Sequence, residues 1–342
     1  MIKRILYTLL IMFPVLASAQ INTDRVMAIG RNALYFEDYV LSIQYFNQVI
    51  NAKPYLSDPY FYRGLAKINL DDFQGAESDC SEAIERNPFV VSAYQVRGLA
   101  RIQQNNFAGA IEDYTKALEF DPENIGVWHN MALCRIRQED YKGAKNDLDK
   151  LIAISPRYTK AYLMRGEVDL KQKDTLAAEK DFGKAIEIDR YDADTWASRA
   201  ILRLQQQRYK DAEADFDHAI RLSTRNSGVY INRALARYHQ NNLRGAMSDY
   251  DIALDIDPNN FIGHYNRGLL RAQVGDDNRA IQDFNFVIEM EPDNMMAIFN
   301  RGLLLDQTGD YKGAIKDYST VINEYPNFLL GYQYRAQARR KI

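Results

Sequence analysis

The stretch RGLAKINLDDFQGAESD, Arg63–Asp79, returns 34 residues later as RGLARIQQNNFAGAIED, Arg97–Asp113. Each copy opens on Arg-Gly and closes on an Asp sixteen residues further on. A fixed period of this length marks a stacked repeat architecture, so the period is followed along the chain before any element is assigned. A frame laid from Thr23 restarts at Ser57, Val91, Ile125, Thr159, Ala193, Ser227, Phe261, Met295 and Leu329, with no insertion or deletion. It gives nine complete repeats and the first fourteen residues of a tenth.

Four positions of the frame carry the fold. Position 8 is Gly or Ala throughout, from Gly30 to Ala336, and position 20 is Ala from Ala76 to Ala314, with Ser42 in the first repeat. Position 24 is apolar or aromatic, from Phe46 to Tyr318, and position 32 is Pro in seven of nine repeats. At 100° per residue, positions 4, 7, 8 and 11 share one helical face, and 20, 24 and 27 share another. Small residues at 8 and 20 let two helix backbones approach closely, and aromatics at 4, 17 and 24 fill the surrounding space. Pro at 32 cannot continue a helix and is expected to end the second one. Each repeat therefore reads as a helix hairpin with a turn near positions 15–17, which must stack on its neighbours to bury its apolar surface. The fold class is all-α, a solenoid of antiparallel helix hairpins.

This combination of period, small residues, aromatic and Pro resembles the tetratricopeptide repeat family over residues 23–342. The resemblance implies a right-handed superhelix with a concave groove lined by the first helices. Repeat five has Thr175 and Arg190 in place of the aromatic and the Pro, and repeat six has Thr224 in place of the Pro. Looser junctions are expected around residues 172–195 and 222–228. The sequence stops at position 14 of repeat ten, so either the single helix is the cap or, as the unfinished motif suggests, the native chain continues past Ile342.

Residues 1–19 read differently from the array that occupies 20–342. Lys3 and Arg4, an apolar run from Ile5 to Leu16 and the ending Ala17-Ser18-Ala19 describe a secretory signal peptide cleaved after Ala19. The run is short for a membrane span, and no later run is long enough. Export to the periplasm or cell surface of a bacterium is expected. The formal charge is −3, which lacks the basic footprint of a nucleic-acid binder. Cys80 and Cys134 fall on helices two repeats apart, beyond the reach of a disulfide, and are expected as free core thiols.

The recurring Arg stands at position 7 in eight of ten repeats and the Asp at position 23 in repeats two to nine. A hairpin that sets 8 against 20 brings 7 near 23. Arg and Asp can then meet within a repeat or across the next interface, and the ladder residues are Arg63, Asp79, Arg97, Asp113, Arg165, Asp181, Arg199, Asp215, Arg233, Asp249, Arg267, Asp283, Arg301 and Asp317. A pair that recurs through an array is read as a structural ladder that sets geometry more than stability, because desolvation opposes the Coulomb attraction. Position 11 is Lys67, Arg101, Arg135, Arg203, Arg237, Arg271 or Arg339. These cations either share the Asp or reach out to water.

The resemblance places positions 2, 5, 6, 9, 12 and 13 on the concave wall. Candidate contacts for a peptide or protein partner are Phe61, Leu65, Leu99, His129, Asn130, Ile231, Asn232, Leu235, Tyr238, Tyr265, Asn266, Leu269, Phe299, Asn300 and Leu303. An apolar stripe edged by amides suits a peptide, whose backbone pairs with the amides. Packing between neighbouring first helices is the expected role of position 9, and positions 5 and 6 are the better contact candidates, strongest in repeats seven to nine. Some tetratricopeptide domains hold chaperone tails through a Lys, Arg and Asn cluster, but no repeat here has Lys or Arg at position 5. His129, His218, His239 and His264 lie in different repeats without metal-ligand spacing, and no phosphate loop, nucleophile elbow or CxxC motif occurs. The expectation is a non-catalytic scaffold without cofactor or metal, in an envelope assembly or secretion complex. The alternatives are a glycan or peptidoglycan binder using Phe61, Tyr238, Tyr265 and Phe299, and a non-catalytic segment of a larger protein. The sequence leaves the oligomeric state open.

Overall fold

The structure is a computed structural model that describes residues 22–342. It divides into two units, one ending at Pro156 and the other beginning at Arg157. The first unit holds α1 (Thr23–Tyr35), α2 (Tyr39–Ala52), α3 (Asp58–Ile68), α4 (Phe73–Arg86), α5 (Val91–Gln103), α6 (Phe107–Phe120), α7 (Ile125–Arg137) and α8 (Tyr141–Ile154). The second holds α9 (Thr159–Lys171), α10 (Thr175–Ile188), α11 (Ala193–Gln205), α12 (Tyr209–Leu222), α13 (Ser227–His239), α14 (Leu243–Ile256), α15 (Phe261–Gln273), α16 (Asp277–Met290), α17 (Met295–Thr308), α18 (Tyr311–Glu324) and α19 (Leu329–Arg339). No strand occurs among the described residues. The expected signal peptide, residues 1–19, lies outside them.

Each repeat is a hairpin of a first and a second helix, and the hairpins stack as a solenoid within each unit. The close approach expected at position 8 is real. A Cβ on Gly98 would stand 2.8 Å from the Tyr114 ring, so position 24 is tight against the first-helix backbone. Position 24 is buried in every complete repeat, from Phe46 to Tyr318. Cys80 and Cys134 are free and buried, and burial pushes both thiols up to about 12. First helices also touch one another across repeats: α1 with α3, α3 with α5, α5 with α7, and in the second unit α11 with α13, α15 with α17 and α17 with α19.

The turn inside each hairpin has one chemistry. Position 15 carries a positive φ in all nine complete repeats, as Glu37, Asp71, Asn105, Glu139, Lys173, Gln207, Asn241, Gly275 and Gly309. Position 16 then caps the second helix. Asp38, Asp72, Asn106, Asp140, Asp174, Asn242 and Asp310 accept from a backbone N–H three residues on. The Pro at position 32 is not what stops the second helix. That helix ends at position 30 in every repeat, including α10 before Arg190 and α12 before Thr224. The stop is a C-cap at position 31 that leaves helical geometry while its N–H still bonds the carbonyl four residues back, as Asp189 does to Ala185.

Candidate interaction surface

The position-7 arginines hold the Asp of their own repeat in a two-pronged grip. Arg63 donates through Nε and Nη2 to the two Asp79 oxygens, at 2.8 and 2.6 Å. Arg165 does so to Asp181 at 2.6 and 2.8 Å, Arg233 to Asp249 at 3.0 and 2.6 Å, and Arg301 to Asp317 at 2.8 and 2.7 Å. Arg97–Asp113, Arg199–Asp215 and Arg267–Asp283 repeat the arrangement. All seven carboxylates are buried.

Of the two alternatives for position 11, the cations of the complete repeats take the Asp, and Arg339 is exposed. Lys67 lies 2.9 Å from Asp79, Arg101 3.0 Å from Asp113, and Arg203, Arg237 and Arg271 each 2.8 Å from Asp215, Asp249 and Asp283. Repeat four has Met131 at position 7, and there Arg135 alone takes Asp147, at 2.7 Å.

Two further partners tie one repeat to the next and were missed in the sequence. The free Nη1 of the position-7 Arg reaches position 25 of the preceding repeat: Arg63 to Asn47, Arg97 to Ser81, Arg233 to Asp217, Arg267 to Asp251 and Arg301 to Asn285. At position 11, Arg101, Arg203 and Arg237 each donate to a Glu of the preceding second helix, Glu77, Glu179 and Glu213. Burial would raise Glu77, but hydrogen bonds from Arg101 and Gln104 hold it below its usual range. The available signal was the run of short polar residues at position 25.

The proposed wall residues sort by exposure. Leu99 and Leu269 are exposed, and Phe61, Leu65, His129, Asn130, Asn232, Leu235, Tyr238, Tyr265, Asn266, Asn300 and Leu303 are half-buried. Ile231 and Phe299 are a correction: both are buried, so they are core side chains rather than open contacts. Phe299 is 9 % exposed and lies edge-on to Phe328 and Tyr334, at 5.0 and 5.9 Å between ring centres. Asn300 donates to the Tyr265 hydroxyl at 3.2 Å, which joins two proposed residues of adjacent repeats.

Position 2 was expected on the wall, but none of its residues was named as a contact. It is Asp24, Asp58, Ser92, Gly126, Lys160, Asp194 and Gly228 in the first seven repeats, then Ile262, Met296 and Leu330. These last three are exposed, Met296 at 62 %. Met296 and Asn294 line two adjoining cavities. One, about 260 Å³, is completed by Phe261, Ile262 and Tyr265. The other, about 350 Å³, is walled by Met295, Phe299, Val321, Tyr325 and Phe328, with Asp293 at its edge. The change from polar to apolar at position 2 was the signal in the sequence. No group of three or more His, Cys, Asp or Glu side chains that could hold a metal occurs among the described residues. None of the described helices is long and apolar enough to cross a membrane.

A stack of helix hairpins with a side-chain ladder inside and an apolar strip on its first helices is a solenoid scaffold. Tetratricopeptide repeat profiles match residues 125–158, 159–192, 198–261 and 265–327, and a TPR repeat profile matches 98–134. The chain belongs to the tetratricopeptide repeat family. No curated protein sequence matches it significantly. Among solved structures it is similar to a tetratricopeptide repeat protein from Parabacteroides merdae, at 21% identity and a TM-score of 0.56, over 73% of this chain and 98% of that one. It is also similar to the C-terminal part of a TPR repeat-containing protein from Cytophaga hutchinsonii, at 17% identity and 0.58, over 69% and 97%. Pseudomonas aeruginosa pilF aligns at 18% identity and 0.56, over 62% and 97%. At these identities the likeness is one of fold.

Proposed function

We propose that this chain is a non-catalytic scaffold that binds a peptide or protein segment on the first-helix wall of its last repeats. The observation that carries this reading is the strip Ile262, Met296 and Leu330, with two side-chain-sized cavities sharing Met296. Apolar side chains grouped in the open mark an interaction site more than scattered ones do. Half-buried amides at Asn266 and Asn300 lie on the same helices and suit a peptide backbone. Glycan binding is the weaker reading, because sugars stack on open aromatic faces and Phe299 is enclosed by Phe328 and Tyr334. Residues 1–19 are read as an export signal, placing the array in a bacterial envelope, where an assembly or secretion complex would use it. An intact mass of the cellular protein beginning at Gln20 supports export, and one beginning at Met1 overturns it.

The binding site is tested by selecting a random peptide display library on the chain. Selected peptides with large apolar residues are expected to weaken more than about tenfold on an Ile262→Asp/Met296→Asp variant, since each buried apolar side chain contributes about 1.5–3 kcal/mol. Both side chains are exposed, so the variant should fold, as circular dichroism would verify. Peptides that bind both forms equally would move the site elsewhere. Selection that enriches nothing, with retention on a glycan array, would favour the sugar reading.

A further inference from the structure

The apolar strip of the last repeats is bordered by acid. Positions 29–33 run from the end of each second helix into the turn before the next first helix. In repeats five and six they include Arg190, Arg221 and Arg225. In repeats seven to nine they include Asp255, Asp257, Glu289, Glu291, Asp293 and Glu324, with neither Lys nor Arg. The absence of base extends through the strip, since residues 253–263, 287–300 and 321–334 contain no Lys or Arg. Asp257 and Glu291 are engaged locally, each accepting from an Asn side chain, Asn260 and Asn294, at 3.1 Å. Asp255, Glu289, Asp293 and Glu324 are exposed and form no ion pair among the described residues.

The two cavities that share Met296 differ in charge. The smaller, about 260 Å³, is lined by Phe261, Ile262, Tyr265, Asn294 and Met296, none of them charged. The larger, about 350 Å³, has apolar walls that include Met295, Phe299 and Phe328, and a single carboxylate, Asp293, at its edge. An apolar recess with a carboxylate at its edge matches a side chain that is aliphatic along its stem and cationic at its tip. Arg and Lys have this build and habitually lay the stem on apolar surface while the head stays near water. A wholly apolar side chain would fill the recess but leave Asp293 without a partner, and an acidic one would be repelled.

Resting on the reading that this strip binds a peptide segment, we infer that the segment is basic: an Arg or Lys enters the cavity edged by Asp293, and a large apolar side chain enters the neighbouring cavity beside Tyr265. The apolar side chain supplies most of the affinity, and the cation supplies the choice of partner. The other rim carboxylates steer a cationic segment toward the strip, an effect that weakens with salt. The same rim repels an anionic lipid surface or a nucleic acid. A second copy of the chain, at a formal charge of −3, gains nothing overall from an acidic rim.

The test probes an array of decapeptides with the labelled full chain at low salt. One position of each peptide is fixed as Leu or Phe, a second within four residues of it is fixed as Arg, Gln or Glu, and the rest are random. Retention on Arg peptides is expected to exceed retention on Glu peptides by at least about fivefold, the scale of one exposed charge pair gained against one repulsion. Asp293→Asn in the chain should remove most of this preference, and Asp293→Lys should turn it toward Glu. Asp293 is exposed, so both variants should fold, as circular dichroism would verify. Apolar peptides retained equally with Arg, Gln or Glu, or an Arg preference that survives Asp293→Lys, would overturn this inference and leave the peptide site standing. Retention of no apolar peptide would remove the site itself and the inference with it. A dimer of the chain alone, seen by sedimentation and dispersed by Met296→Asp, would also overturn it, since a second copy would then occupy the strip.

Discussion

Asp283 and Asp147 occupy the same place in their repeats, and their surroundings give them opposite titration. Burial would raise Asp283, but hydrogen bonds from His264 and Arg267 and the charges of Arg267 and Arg271 hold it below the usual carboxylate range. At Asp147 burial wins over Arg135 and the more distant charge of Lys150, and the carboxyl is raised. The difference traces to two positions, where Asp147 has Trp128 and Met131 in its repeat and Asp283 has His264 and Arg267. A depressed folded-state pKa gives stability that is present above the ordinary Asp value of 3.8 and is lost as pH falls through the lower folded value. A raised one is a penalty at neutral pH that is relieved as pH falls through the raised value. Asp283→Asn should therefore cost about 3 kcal/mol at pH 7, because it leaves two half-buried guanidinium groups without their shared carboxylate. Asp147→Asn should cost less than about 1 kcal/mol, since its charged form is the disfavoured one. Urea denaturation of both variants measures this, and equal losses would show that the partners at these two positions do not set the difference. The Arg and Asp pairing was legible in the sequence because its spacing is fixed by the hairpin. The sharing of Asp79, Asp113, Asp215, Asp249 and Asp283 by two cations was only one of two expectations, because side-chain reach does not follow from spacing.

The helices themselves were legible in period and face, and their ends were not. Pro at position 32 looked like the stop, yet α10 and α12 end in register without it. The cap is set by backbone that turns into the next repeat, with Pro compatible with that path rather than its cause. The turn at position 15 was also hidden, because a left-handed residue is obvious only where it is Gly, as at Gly275 and Gly309. Seven other residues adopt this conformation with a Cβ, which costs roughly 1–2 kcal/mol each. Glu139, at φ 60°, is one of them. Glu139→Gly should raise stability by about 0.5–1 kcal/mol after the extra chain entropy of Gly is allowed for. Gly275→Ala, at φ 81° with nothing near its Cβ, should lower it by about 1 kcal/mol. Thermal denaturation of the pair would decide. A loss at Glu139→Gly would mean that its side chain contributes something the turn geometry does not reveal.

For the molecule as an array, stability is close to a sum of repeats and nearest-neighbour interfaces, so one weak interface matters. The apolar wall was only partly legible at this scale. Ile231 and Phe299 share a face with true surface residues, and only the stacking of neighbours decides which are covered. Looseness near residues 172–195 was expected from Thr175 and Arg190, but those two keep the usual form. Asp174 caps α10, and the Arg190 carbonyl accepts from Trp196 Nε1 at 3.0 Å, as the Pro122 carbonyl does from Trp128 Nε1 at 2.8 Å. The deficit lies at Gly183. It occupies position 25, where Asp217 and Asp251 receive Arg233 and Arg267 at 2.7 and 2.8 Å, and it has no side chain to receive Arg199. Glu179 still ties this interface through Arg203 and Arg208, so the junction is weakened and not undone. A Cβ at Gly183 would meet nothing within 4 Å, so the site accepts a side chain. Gly183→Ala should stabilise by about 1 kcal/mol through helix propensity alone. Asp is a poorer helix former than Ala by about 0.7 kcal/mol, so without a partner Gly183→Asp would gain only about 0.3 kcal/mol. Paired with Arg199 it should match or exceed Gly183→Ala, and should slow hydrogen exchange in α10 and α11 relative to the Ala variant. The Glu213 and Asp217 spacing in the next repeat carries the same like-charge neighbour without loss of its tie to Arg233. A Gly183→Asp variant that trails Gly183→Ala by the full propensity difference would show that position 25 does not couple neighbouring repeats.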